Sequence, residues 1–262
     1  MDTQEQLIMA NGHNINTLRI GKIDPEKPTL VFIHGGLDCI AMWRKFPYQL
    51  VEETGLSAIV YERWGHGKSD MLVVPLEYDA REEEANQPLK DLFAYYGLGK
   101  VILVGHSFGG GIALIASGME HEQVIGTIAI APQLVSHGDT KEGLDKAIAA
   151  YDSGKLRDKL IPFHGDNTEI LFRNWSGGAT DPNYVPRDYA EYLVKIECPV
   201  LEIYGTDDNY GYLHNLEHSR KTISSPLEVE EIEGSAHYPH LDSVEQVLKC
   251  SGRFINDLLK TE

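Results

Sequence analysis

A doubly wound α/β fold built on a parallel sheet is what this sequence predicts, from three features of its patterning. Short, unbroken apolar runs rich in β-branched residues recur along the chain, helix-like stretches lie between them, and one long segment interrupts the alternation. A strand covered on both faces reads as such a continuous run, and parallel sheets are where these strands occur. Strands alternating with helices wind a sheet with helices on both sides.

Taken in order, the first run is Thr29-Leu30-Val31-Phe32-Ile33, closed by His34-Gly35-Gly36. Residues 57–61, 100–104, 126–130 and 199–204 repeat the form, each followed by turn-forming or chemically useful residues. Leu89, Leu92, Phe93 and Tyr96 recur at helical spacing before a Gly97 stop, and Val244, Val247, Leu248, Phe254 and Leu258 mark a C-terminal helix. The densest charge run, Arg81-Glu82-Glu83-Glu84, reads as a solvated helix face. From 133 to 196 no buried-strand run occurs. Helical segments at 144–151 and 166–174 and a turn at Trp175-Ser176-Gly177-Gly178 fill the interval. An excursion there lies over the carboxyl edge of the sheet, where open α/β folds bind ligands. The expected organisation is a core of 1–132 and 197–262, with 133–196 as a helical cap.

The chain of 262 residues carries 23 Lys+Arg against 40 Asp+Glu, a net charge of -17. That field repels phosphate backbones and anionic lipid surfaces, so neither nucleic acid nor a membrane is expected as partner. Cys39, Cys198 and Cys250 are odd in number and widely spaced, which suggests neither a disulfide framework nor a zinc knuckle. With a polar, acidic N-terminal stretch and no signal-like segment, a cytoplasmic location is expected. The sequence leaves monomer and homodimer open.

The strongest chemical signal is Gly105-His106-Ser107-Phe108-Gly109, a G-x-S-x-G run between a strand and a helix-forming stretch. Small residues are needed at 105 and 109 because the serine occupies a sharp, strained turn, exposed at a helix N-terminus. A serine hydroxyl needs a base, and the base needs an orienting carboxylate. The strand at 199–204 ends in Gly205-Thr206-Asp207-Asp208, and Asp208 is chosen over Asp207. His237, in Gly234-Ser235-Ala236-His237-Tyr238-Pro239-His240, follows just ahead of the C-terminal helix. His237 is the expected base, completing the order Ser, Asp, His. The loop His34-Gly35-Gly36-Leu37 can supply one oxyanion-hole N–H and Phe108 the other, with Gly36 as first choice and Leu37 as fallback.

Other motifs fail. Gly67-Lys68-Ser69 lacks the glycine a phosphate-binding loop needs at 62, where Glu62 stands, and reads as a structural turn beneath the active site. Gly109-Gly110-Gly111 does not make a dinucleotide fingerprint, and no H-E-x-x-H occurs, so neither a cofactor nor a metal is expected.

With HGG at 34–36, ERWGHGKSD at 62–70, GHSFGG at 105–110, GTDD at 205–208 and GSAHYPH at 234–240, the chain resembles the α/β-hydrolase superfamily, in detail its cofactor-free bacterial hydrolases and esterases. The resemblance implies an eight-stranded, mostly parallel sheet with one antiparallel strand near the start, a helical cap, and Ser107, Asp208 and His237 as catalytic residues. It implies no particular substrate. The function read here is hydrolysis of a small carboxylic ester, lactone or thioester through an acyl-enzyme on Ser107. Carbon–carbon bond or amide hydrolysis on the same residues, and a non-catalytic small-ligand binder, stand as alternatives. Leu37, Trp43, Trp175, Tyr210 and Tyr238 are the expected substrate contacts, with Met42, Leu134, Phe163 and Phe172 as further pocket-wall candidates.

Overall fold

The computed structural model describes residues 1–73, 80–135, 138–180 and 187–261. In chain order, β1 (Thr3–Ala10), β2 (His13–Ile20) and β3 (Thr29–Ile33) are followed by α1 (Phe46–Thr54), β4 (Ser57–Tyr61), α2 (Ala80–Tyr96), β5 (Val101–His106), α3 (Phe108–Ser117) and β6 (Val124–Ile130). Then come α4 (Gly138–Asp152), α5 (Arg157–His164), α6 (Thr168–Thr180), α7 (Ala190–Leu193), β7 (Val200–Gly205), α8 (Tyr212–Thr222), β8 (Leu227–Ile232), α9 (Pro239–Asp242) and α10 (Val244–Thr261). The eight strands form one sheet in the order β1-β2-β4-β3-β5-β6-β7-β8. Only β2 runs against its neighbours; the other pairings, from β4 to β8, are parallel.

The five apolar runs are the five central strands, and alternation along them fills two layers. Val31, Ile33, Ile59, Leu103 and Ala129 face one side, against Leu89 and Phe93 of α2 and Ile112 to Ala116 of α3. Leu30, Phe32, Val60, Val104 and Ile203 face the other, against Phe46 and Leu50 of α1 and Phe254 and Ile255 of α10. Each fully buried aliphatic side chain contributes about 1.5–3 kcal/mol by leaving water, so the sheet is held by its own covered faces. β1, β2 and β8 carry half-exposed residues on at least one face, and so show no unbroken apolar run.

Two local expectations are corrected. The stretch Trp175-Ser176-Gly177-Gly178 is no turn but part of α6, because a helix held by tertiary packing of its apolar face tolerates glycines near its end. The charge run at 81–84 is not a solvated face. Glu82 is buried and pairs with Arg187, and Glu84 accepts the Tyr61 hydroxyl at 2.9 Å. Burial raises the Glu84 carboxyl above the usual range. Between β6 and β7 the regular elements among the described residues are all helices. Of these, Tyr189 and Leu193 pack with Ile196 into the main core beside α3, while Tyr151 of α4, Leu160 of α5 and Phe172 of α6 share a separate apolar cluster. Among the described residues no helix is long and apolar enough to cross a membrane.

Candidate active site

Ser107 stands between β5 and α3 with φ 53° and ψ −115°, a conformation L-residues rarely adopt. The bend closes on itself: a Cβ at Gly105 would collide with the Gly109 carbonyl, and one at Gly109 with the Ile33 carbonyl. The Ser107 N–H donates to Ile130 O at 2.9 Å, and its carbonyl accepts from the N–H groups of Gly111 and Gln133, both at 3.1 Å. The elbow is thus clamped between β6 and the chain that follows it.

Two loops at the carboxyl edge of the sheet meet this serine. His237, after β8, places Nε2 2.8 Å from Ser107 Oγ. Its Nδ1 lies 2.7 Å from Asp208 Oδ2, and Asp208 Oδ1 accepts the Tyr210 N–H at 2.8 Å. The Asp208 side chain is 3% exposed and that of His237 13%. Asp207 is exposed, so only one of the adjacent acids faces the imidazole. A carboxylate on Nδ1 selects the tautomer whose Nε2 is free to accept the serine proton.

A second Asp–His pair lies behind the first. His106 Nε2 donates to the His237 carbonyl at 2.9 Å, and its Nδ1 is 3.1 Å from Asp38 Oδ2. Burial alone would raise the Asp38 carboxyl, but the hydrogen bond and charge of His106, aided by His237 and the Tyr238 hydroxyl, hold it below its usual range. The Tyr238 hydroxyl donates to Asp38 Oδ1 at 3.3 Å, and the Asp38 charge with burial pushes its own titration far up. His240 packs against His106 with ring centres 4.6 Å apart, and burial keeps it neutral.

On the opposite flank, three successive carbonyls of the loop after β3 each face a buried side-chain nitrogen. Gly35 O accepts from His34 Nδ1 and Arg63 Nη2, both at 2.8 Å. Gly36 O lies 3.0 Å from His66 Nε2. Leu37 O accepts from His164 Nε2 at 3.0 Å, and His164 Nδ1 accepts the Gly67 N–H at 3.1 Å. His34, His66 and His164 are all held neutral, chiefly by burial and further by the Arg63 charge. Phe108 is the first residue of α3, so its N–H is one of the first-turn donors that no helical carbonyl satisfies.

Of the expected substrate contacts, Tyr210 lies with its ring 4.6 Å from that of His237, and Tyr238 at 5.5 Å. Trp175 covers Gly36 so closely that a Cβ there would meet the indole. Leu37 packs with Trp175 against the cluster of Tyr151, Leu160 and Phe172. Trp43 is elsewhere: 3% exposed, edge-on to Phe32 at 5.2 Å and stacked near Phe46, it fills the core beneath the loop because a large indole on a short helical turn finds apolar neighbours there. Phe172 is fully buried against Tyr151, Leu134 lies in the core, Met42 packs on the α4–α6 cluster and Phe163 is exposed. Asp38, His106, Arg63 and His164 carried no assigned role in the sequence. The motif runs 62–70 and 105–110 contain two of them, but their partners are distant in the chain.

Fold and geometry together describe a hydrolase class whose nucleophile rides on a strand-to-helix elbow. The chain belongs to the alpha/beta hydrolase family, whose model matches residues 30–249. It is 26% identical over 216 residues to a bifunctional esterase/perhydrolase of Acinetobacter calcoaceticus, covering 70% of this chain and 75% of that protein. A 2-hydroxy-6-oxononadienedioate/2-hydroxy-6-oxononatrienedioate hydrolase of Paraburkholderia phymatum is 26% identical over 215 residues, covering 70% and 72%. Among solved structures, a bacterial membrane phospholipase A superposes with a TM-score of 0.78 at 20% identity over 98% of this chain and 86% of that one. An esterase from Thermogutta terrifontis gives 0.73 at 18% identity over 97% and 99%. At those identities the structures speak to the fold alone.

Proposed function

We propose that this protein is a serine hydrolase that cleaves a small carboxylic ester, lactone or thioester through an acyl-enzyme on Ser107. The observation that carries the reading is the continuous line Ser107 Oγ, His237 Nε2, His237 Nδ1, Asp208 Oδ2, with contacts of 2.8 and 2.7 Å, on a strained elbow. In this reading His237 Nε2 takes the hydroxyl proton as Oγ bonds to the substrate carbonyl carbon. The oxygen that becomes negative lies against the N–H groups of Gly36 and Phe108, at the positive end of α3. Collapse expels the leaving group with the proton from His237; water, deprotonated by the same nitrogen, then releases the acid and restores Ser107. Leu37, Trp175, Tyr210 and Tyr238 wall the substrate side, which favours a largely apolar acyl or leaving group.

The Paraburkholderia phymatum relative favours a second reading on the same residues, hydrolysis of a carbon–carbon bond. Incubation with a fluorophosphonate and mapping of the adduct tests the nucleophile: Ser107 labels, and Ser107→Ala neither labels nor turns over p-nitrophenyl acetate. A folded protein that fails to label and gives no burst of p-nitrophenol is a ligand binder instead. Rates on esters, lactones, thioesters and vinylogous diketones then assign the bond.

A further inference from the structure

In a trans peptide the C=O and the following N–H belong to one rigid plane and point in opposite directions, so whatever holds Gly35 O also aims Gly36 N–H. Three donors occupy that oxygen, His34 Nδ1 and Arg63 Nη2, each at 2.8 Å, and the Asp38 N–H at 3.3 Å. His34 is committed to donating from Nδ1, since its Nε2 accepts the Arg63 backbone N–H at 3.0 Å. Arg63 is 5% exposed, and among the described residues its Nε has no hydrogen-bond partner. Its guanidinium carbon also sits 4.8 Å from the ring centre of Phe108, whose N–H is the other donor of the hole. A cation removed from water is costly, and Arg63 is buried behind this loop within the field of the Glu84 and Asp38 carboxylates, with Arg81 4.3 Å from the same Phe108 ring. In a water-poor site a charge one peptide away acts at low screening and adds to the dipole of the N–H it lies behind. The hydrogen bond of His164 to Leu37 O helps to hold the loop in place, so the effect of Arg63 is delivered in one direction.

We propose that Arg63 is a positioning residue of the oxyanion hole: by donating to the Gly35 carbonyl it aims and polarises the Gly36 N–H toward the oxygen that turns negative when Ser107 attacks. This inference rests on the serine hydrolase reading.

The test uses the full chain, p-nitrophenyl acetate and a trifluoromethyl ketone, which adds to Ser107 as an oxyanionic hemiketal. Arg63→Lys keeps the charge and loses the fork, and Arg63→Met loses both. The expected falls in kcat are about 10-fold and about 100-fold, with KM shifted less than about threefold and ketone affinity falling by the same factors as kcat. An arginine that only packs would lower the melting temperature without this matched loss. If Arg63→Met does not fold, Arg63→Lys alone decides. Folded variants that keep kcat and ketone affinity within about threefold of the wild type, or that change KM alone, overturn the proposal. A wild-type protein that neither labels at Ser107 nor turns over removes the hydrolase reading and this inference with it, whereas a labelled, active wild type matched by its Arg63 variants removes this inference alone.

Discussion

The two flanks of Ser107 are built on different principles. On the base side, side chain meets side chain: Ser107, His237 and Asp208 touch in a line, each supplied by the loop at the end of its own strand. On the proposed oxyanion side the groups that would face the reaction are backbone amides, and side chains stand behind them, donating to the carbonyls of Gly35 and Leu37. A base must move a proton, so its atoms are in hydrogen-bond contact. An oxyanion donor only has to be already pointed, so its support is spent on holding a peptide plane still. The first flank depends on three residues and should fail sharply. The second has its load shared and should fail by degrees.

Exchange of the orienting carboxylate is expected to have the largest effect. Asp208→Asn should lower kcat by up to about 10⁴-fold, since the imidazole loses its tautomer control and counter-charge, while Asp207→Asn leaves it within about threefold. Steady-state rates on p-nitrophenyl acetate decide it. Equal losses for the two variants would mean the contact at 2.7 Å is not the one that matters.

The strand behind that carboxylate predicts a pH effect on stability. Glu202 of β7 is fully buried, receives the Tyr204 hydroxyl at 3.0 Å, and burial lifts its carboxyl to about 7. The folded state therefore holds a proton that the unfolded chain releases at ordinary carboxyl pH. Stability from this group is complete below about 4.5 and is lost as pH rises through about 7, in total about 3 kcal/mol. Glu202→Gln should flatten that segment of a denaturant-midpoint profile; an unchanged slope would show that the carboxyl is ionised in the fold.

On the other flank, Gly36→Ala should cost kcat about 10 to 100-fold, because the new Cβ drives into the Trp175 indole and tilts the gripped loop. Adding Trp175→Ala should recover part of the loss, a coupling that a double-mutant cycle reads directly. Additive losses would place the damage in the backbone rather than at the indole.

The smallest effect expected is that of Trp175→Ala alone: KM for long-chain esters rises several-fold more than for acetate, because a longer acyl chain covers more of the indole surface that the substitution removes. A flat chain-length profile with a lower melting temperature would return Trp175 to the packing of the α4–α6 cluster.

Features with a local cause were legible in the residues alone. The five central strands are legible because burial on both faces leaves one unbroken apolar run, as in Thr29–Ile33. The elbow is legible because a strained φ at Ser107 demands small residues two positions away on either side. The order of Ser107, Asp208 and His237 is legible because each follows its strand. The edge strands β1 and β8 and the neighbouring β2 were not, since their half-exposed residues look like polar loops. Nor was the charge run at 81–84, where Tyr61 and Arg187 reach Glu84 and Glu82 from elsewhere in the chain. Which residues stand behind the loop after β3 depends on long-range contacts. Arg63 finds Gly35 across 28 positions and His164 finds Leu37 across 127, and the acceptors are main-chain carbonyls that every residue carries. A backbone oxygen has no letter in the sequence, so its partner is chosen by where folding brings a buried donor.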